Sequence, residues 1–251
     1  SWQNPSTTLY SEDSSFNYDS LLVANEYVAG AARKYPKRII PAGWTDPKAL
    51  GVSKAIRLAE YCINNLGVGI VKINPAQNRF PINSPDVLDV VDAIVEKGAV
   101  VAFHYGADTP YTPAQGLEDI AARHPDIPFI AVHMGGGGAS FEDAEGLYFE
   151  SRQLGLRHAN IFFILSAKRD PHIESDFITY QAAGSPYREH LLCGSDAPYG
   201  NQIFQFGGYR AMLNSFLSGL KHPDKRVRDN PELFDSCSIQ GYLGGNCARL
   251  M

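Results

Sequence analysis

The feature that most constrains the fold is a regular spacing in where apolar runs end. Six runs stop at Gly43, Asn74, His104, His133, Ser166 and Asp196, with intervals of 31, 30, 29, 33 and 30 residues. Runs such as A-V-V-A-F-H-Y-G at 99–106 and N-I-F-F-I-L-S-A at 160–167 lack apolar/polar alternation, which is how strands buried on both faces read. A recurring unit of about 30 residues built on such strands is a parallel βα repeat.

Strands are expected at 38–43, 69–75, 99–106, 127–135, 160–167 and from 191 onward. Helices are expected at 18–35, at 46–66 with Asp46 as N-cap and Pro47 at N1, and at 84–97, 113–123, 140–156, 174–183, 205–220 and 231–251. Residues 1–15 are polar and turn-rich and read as a loop.

Two architectures share this pattern, a doubly wound open sheet and a (β/α)8 TIM barrel. An open sheet concentrates its site at one switch point, whereas a barrel gathers every strand's C-terminal end around one mouth. Here Lys72, Asn74, His104, His133, Ser166 and Asp196 fall at the ends of five consecutive strands. That favours α/β of the TIM (β/α)8 type, as a single domain over residues 1–251. Six strands against the eight of a closed barrel imply that this chain lacks the first one or two, so upstream strands are expected.

The sixth run, L-L-C-G-S-D-A-P-Y-G at 191–200, places Asp196 at a strand's C-terminal end. A carboxylate there must be paired, hydrogen-bonded or metal-bound, because isolating it in an apolar surround costs several kcal/mol. His104 and His133 occupy comparable positions on adjacent strands. Each taken alone reads as a hydrogen-bonded core imidazole; two of them together with Asp196 read as ligands for Zn²⁺ or another divalent first-row metal.

Lys72 is either a cation facing substrate or a structural partner for a carboxylate. Gly135 to Gly138 form either a tight turn or an oxyanion-binding stretch of backbone N–H groups. Tyr105, Asp108, Ser166, Arg169 and Tyr199 flank the mouth as substrate contacts or loop structure. His124 and His158, at predicted helix C-termini, read as partly cationic complements to the helix dipole, and His172, His190 and His222 are read likewise.

Composition excludes several classes. A net charge of -5 gives nucleic acid no electrostatic reason to bind, and no apolar run approaches a membrane span. Neither a G-x-G-x-x-G, a P-loop nor a G-x-S-x-G is present in the right context. Cys62, Cys193, Cys237 and Cys247 show no C-x-x-C spacing and read as reduced packing residues of a cytoplasmic protein.

Four motifs, F-H-Y-G at 103–106, A-V-H-M-G-G at 131–136, L-C-G-S-D-A-P at 192–198 and G-G-N-C-A-R-L at 244–250, together resemble the amidohydrolase-related family of metal-dependent TIM-barrel enzymes. The resemblance runs from about Tyr18 to the end of the chain. It covers the branch with aminocarboxymuconate-semialdehyde decarboxylase, resorcylate decarboxylases and pyrone-dicarboxylate lactonase. It implies His104 as a metal ligand and His133 as a ligand or the group that holds the metal-bound water. Asp196 would be both ligand and general base. The family's strand-one H-x-H has no counterpart among the seven histidines.

The expected activity is hydrolysis of a small carboxylated or cyclic organic acid through a metal-activated water. The expected metal is Zn²⁺, with Mn²⁺ the alternative. Catalysis would rest on Asp196 and His133, and substrate binding on Lys72, Asn74, Tyr105, Ser166 and Arg169. Non-oxidative decarboxylation is the alternative within the family, and a non-catalytic binding protein on a degenerate barrel is the alternative outside it. The expected partner is a small molecule, and the fold is compatible with a homo-oligomer.

Overall fold

The computed structural model describes residues 11–106, 110–135, 145–166, 170–194 and 225–250. Their strands lie in one parallel sheet in the order β1 (Ala42–Trp44), β2 (Ile70–Ile73), β3 (Val100–Gly106), β4 (Phe129–Gly135), β5 (Ile161–Leu165) and β6 (Leu191–Cys193). Within each unit, neighbouring parallel strands joined by helical crossovers carry their C-terminal ends to one edge, as β1 to β3 and β5 with β6 do. By internal contacts the chain divides into two units, Ser1–His104 with Thr109–Ile130, and Tyr105–Asp108 with Ala131–Met251.

In the first unit, α1 (Ser14–Lys34) is capped by Asp13, whose side chain accepts the Ser15 N–H. Asn25 on α1 holds the edge strand by both backbone groups of Trp44: Nδ2 donates to its carbonyl at 2.9 Å and Oδ1 accepts its N–H at 2.8 Å. Strand β1 is shorter than expected. Pro41 has no N–H for a ladder, and Ile39 and Ile40 before it are exposed.

Asp46 caps a helix as its spacing predicts, accepting the N–H groups of Lys48 and Ala49 at 2.9 Å with Pro47 at N1. The helix does not run on to Leu66. It breaks at Gly51, whose φ of 75° lies in the left-handed region, leaving α2 (Pro47–Leu50) and α3 (Val52–Leu66). On α3 the stripe Ala55, Leu58, Ala59 and Cys62 is buried at i, i+3, i+4, i+7 spacing. It lies so close to β1 that a Cβ on Gly43 would stand 3.1 Å from the Cβ of Cys62.

The same spacing buries Val87, Val90, Val91 and Ile94 on α5 (Pro85–Glu96), which follows the short α4 (Pro75–Asn78). It also buries Leu117, Ile120 and Ala121 on α6 (Ala114–Arg123). Each large aliphatic side chain removed from water in this way contributes roughly 1.5–3 kcal/mol before entropy.

The second unit pairs β5 with β6 in register Phe163↔Leu191 through Leu165↔Cys193. Helices α7 (Glu145–Arg157) and α8 (Asp170–Ala183) belong to it. They are joined by a buried ion pair in which Arg152 Nε donates to Asp176 Oδ1 at 2.7 Å. Close to it, Tyr180 Oη donates to the Arg152 carbonyl at 2.9 Å.

The continuous C-terminal helix expected over 231–251 is not formed. The segment is a 3₁₀ turn (Pro231–Phe234), α10 (Ser236–Gln240), a π turn (Gly241–Gly245) and α11 (Asn246–Arg249), after a short α9 (Lys225–Asp229). The helical path breaks at Asp235, whose backbone is extended and caps α10, and at Gly244, whose φ of 175° is non-helical. The helix expected at 205–220 lies outside the described residues.

Cys62 is buried, and burial pushes its thiol up to about 11, which makes it inert packing. Cys237, by contrast, is exposed, so the packing role does not extend to it. Among the described residues no helix is long and apolar enough to cross a membrane.

Candidate active site

In the first unit, three candidates fall at neighbouring strand ends. Lys72 is level with Trp44 on β1 and Ala102 on β3, and Ile73 is level with Phe103. Asn74 and His104 each come next after that last registered pair. Since side chains alternate across a strand, Trp44, Lys72, Ala102, Asn74 and His104 belong to one face of the sheet. The opposite face carries Gly43, Val71, Ile73 and Phe103, packed under the helices.

His104 and Asn74 are buried, whereas Lys72 is half-buried. Asn74 stands at the N-cap of α4 but its side chain makes no capping bond, and its Oδ1 is buried without a hydrogen-bond partner. The indole Nε1 of Trp44 is in the same condition. Just beyond, Asp46 Oδ2 accepts Asn78 Nδ2, and Lys48 Nζ donates to the Asn78 carbonyl at 3.0 Å. These bonds clamp the turn after β1 to the turn after β2.

In the second unit the structure brings His133 and Ser166 together. His133 Nδ1 and Ser166 Oγ are 2.8 Å apart, both buried. Ser166 follows β5 directly, and Gly194 follows β6 beside it. A Cβ on Gly194 would meet Ile164 Cγ2 at 2.3 Å and Ser166 Cβ at 3.1 Å, so the glycine of L-C-G-S-D is there to let the backbone pass this serine.

His133 and Met134 both have positive φ, 81° and 47°. Two successive non-glycine residues in the left-handed region are uncommon and cost of order 1–3 kcal/mol each. The strand therefore ends in a strained turn at its histidine.

Tyr105 is not placed as a substrate contact. It follows His104 on the other face of β3, is fully buried, and its hydroxyl accepts from Ser151 Oγ at 3.3 Å; burial pushes its phenol up to about 12. His190 is likewise no cationic cap. It is buried just before β6, its Nδ1 donates to the Gly155 carbonyl at 3.1 Å, and burial holds its pKa below the usual imidazole value. His124 does end a helix, with Nε2 2.8 Å from Asp92 Oδ1. Arg123, followed by His124, holds the Asp92 carboxyl below its usual range. Asp108, Arg169, Asp196, Tyr199, His222 and Gly136 to Gly138 lie outside the described residues, as does the side chain of His172.

The donor chemistry fits a divalent first-row metal as far as the described residues reach. His104 and His133 are both buried and both stand third from the end of their strands. The bond from His133 Nδ1 to Ser166 is of the kind that orients a ligating imidazole, and it would leave Nε2 as the nitrogen able to hold a metal. Among the described residues no three His, Cys, Asp or Glu side chains form a metal-binding group. The third candidate, Asp196, is not among them.

The family model described as amidohydrolase matches residues 13–202. No curated protein matches the sequence. Several solved structures share the fold. A 2,6-dihydroxybenzoate decarboxylase from Rhizobium is 14% identical, with a TM-score of 0.67 over 98% of this chain and 81% of that one. A 5-carboxyvanillate decarboxylase from Novosphingobium aromaticivorans, complexed with manganese and 4-hydroxy-3-methoxy-5-nitrobenzoic acid, is 16% identical, with a TM-score of 0.63 over 98% and 74%. A probable 2-pyrone-4,6-dicarboxylic acid hydrolase from Acinetobacter baumannii with citric acid bound is 16% identical, with a TM-score of 0.62 over 90% and 78%. The architecture is accordingly that of the TIM-barrel amidohydrolases rather than of an open doubly wound sheet.

Proposed function

The chain belongs to the amidohydrolase family, and from that premise we propose that it hydrolyses a small carboxylated or cyclic organic acid, using His104, His133 and Asp196 to hold a divalent metal. The family is metal-dependent. Zinc suits the imidazole and carboxylate donors, and manganese, bound in the Novosphingobium relative, is the alternative. When bound, the metal would polarise the scissile carbonyl and make a water acidic enough to attack it.

The remaining steps fall to the chain's own residues. Asp196 takes the attacking water's proton, the role of general base that a carboxylate can fill. His133, its ring held at Nδ1 by Ser166, has one nitrogen left: Nε2 either ligates the metal or, where His104 and Asp196 hold the metal without it, donates a hydrogen bond to the oxygen on which charge develops. Lys72 and Arg169 are the candidates for positive charge toward the substrate carboxylate, and Asn74, on the same face of the sheet as Lys72, for a polar contact.

The observation that supports this reading most is the buried bond between His133 Nδ1 and Ser166 Oγ at a strained strand end. A ring fixed that firmly in a family of metal-dependent enzymes is suited to ligation or oxyanion support rather than to packing alone.

Decarboxylation is the second reading, favoured by the relatives that decarboxylate dihydroxybenzoate and carboxyvanillate. In it, Asp196 or His133 delivers the proton that replaces the departing CO₂. Incubation of the full-length protein with pyrone, muconate and hydroxybenzoate acids separates the two, ring opening marking hydrolysis and CO₂ release marking decarboxylation. Asp196→Asn is expected to keep the fold and lose most turnover. Activity retained within about tenfold, equivalent to ~1.4 kcal/mol of barrier, would show that the base is elsewhere.

A further inference from the structure

Two of the buried polar atoms in the first unit that have no hydrogen-bond partner are complementary. The Trp44 indole N–H is a donor without an acceptor, and the Asn74 amide oxygen is an acceptor without a donor. Buried groups of this kind are rare in native proteins and call for a specific explanation. The backbone on either side is fully engaged. Trp44 N–H and C=O are both held by Asn25, and the Asn74 carbonyl accepts the Asn78 N–H at 3.0 Å. The side chains are thus fixed in place with their hydrogen-bonding capacity unused.

Their positions connect them. Trp44 is level with Lys72, and Asn74 lies two residues beyond Lys72 on the same face, adjacent to His104. Strand geometry puts the Cα atoms of Trp44 and Asn74 roughly 8 Å apart, a span that one small ring with oxygen substituents can bridge. Ala102, level with Lys72 on the other side, contributes only a methyl group to that face. Lys72, in the same row, is the residue to which the proposed reading assigns the substrate carboxylate.

We propose that Trp44 and Asn74 form a specificity pair for a hydroxylated carboxylic acid, in which Trp44 Nε1 donates to a ligand oxygen and Asn74 Oδ1 accepts from a ligand hydroxyl. The pair rests on the proposed reading of the strand ends as the substrate site and adds the substrate's required group. An acid without the hydroxyl leaves Asn74 Oδ1 buried and unpaired, so it is discriminated against. Trp44 contributes affinity for hydroxylated and plain acids alike.

The test is calorimetric binding of 2,6-dihydroxybenzoate and of benzoate to the full-length, metal-loaded wild type, Asn74→Leu and Trp44→Phe, with melting temperatures of each. The wild type should prefer the hydroxylated acid by at least about tenfold. Asn74→Leu should bring that ratio close to one. Trp44→Phe should weaken both acids about equally, by roughly fivefold or more, and keep the ratio. Neither variant should melt below the wild type, since each replaces an unpaired buried polar group by an apolar one.

Wild-type binding with a ratio unchanged in Asn74→Leu, or affinities unchanged in Trp44→Phe, would overturn the pair while leaving the wider functional reading intact. A melting temperature well below wild type, or failure to fold, would show a structural contact and overturn it too. A wild type that binds neither acid would overturn both the pair and the substrate class proposed for the site.

Discussion

His133 Nδ1 lies 2.8 Å from Ser166 Oγ, a buried bond between residues 33 apart in sequence that ties the end of β4 to the end of β5. It fixes the plane of an imidazole whose own backbone is held at a φ of 81°. Ser166→Ala should leave the fold intact, since one neutral hydrogen bond is worth about 1 kcal/mol. It should weaken metal affinity or turnover by about 10–100-fold, as outer contacts of ligating histidines do. Chelator competition beside steady-state kinetics checks both halves of this expectation.

Gly194→Ala tests the close approach that makes room for that serine. The added methyl would lie 2.3 Å from Ile164 Cγ2, so β5 and β6 must shift. The expected cost is about 1–3 kcal/mol by denaturant unfolding, with activity falling further than stability alone requires because Ser166 moves.

The buried pair of Arg152 and Asp176 predicts a non-additive response. Asp176 is wholly buried, so Arg152→Met removes the cation that faces its carboxylate and should cost about 3–5 kcal/mol. Arg152→Met combined with Asp176→Leu should recover most of that loss. Urea unfolding of the two single variants and the double variant measures the coupling directly.

His190 gives the protein a pH dependence of known sign. Burial lowers its folded-state pKa, so below about 6.5 the unfolded chain takes up a proton that the folded chain refuses. The contribution is therefore present in full above that pH and is lost as pH falls toward the depressed folded value. His190→Asn should flatten the unfolding midpoint against pH between 5 and 7. An unchanged slope would place the titrating group elsewhere.

Much of this architecture is written in local sequence. The 30-residue period found all six strands, because strands buried on both faces leave long apolar runs, and Asp46-Pro47 announced its helix start correctly. The break at Gly51 was missed because apolar spacing continues across it; only the backbone angle reveals the interruption. The 231–251 segment departs from one helix because Asp235 and Gly244 interrupt residues that otherwise hold helical angles, and apolar spacing does not signal either break.

The candidate site was legible only by strand position. His104, Lys72 and Asn74 stand at strand ends as expected, but whether a strand-end side chain faces the site depends on its parity along the pleat. Parity is what turns Tyr105 away toward Ser151. The bond from Ser166 to His133, the left-handed turn at His133 and the unpaired atoms of Trp44 and Asn74 are tertiary facts without a signature in spacing or composition.

Elemental analysis of full-length protein purified without chelator tests the proposed holding of one divalent metal by His104, His133 and Asp196. Close to one equivalent of zinc or manganese per chain is predicted for the wild type, falling to a small fraction in His104→Ala and in His133→Ala at unchanged secondary structure by circular dichroism. A wild type carrying well under one equivalent, or histidine variants that keep their metal in full, would contradict it.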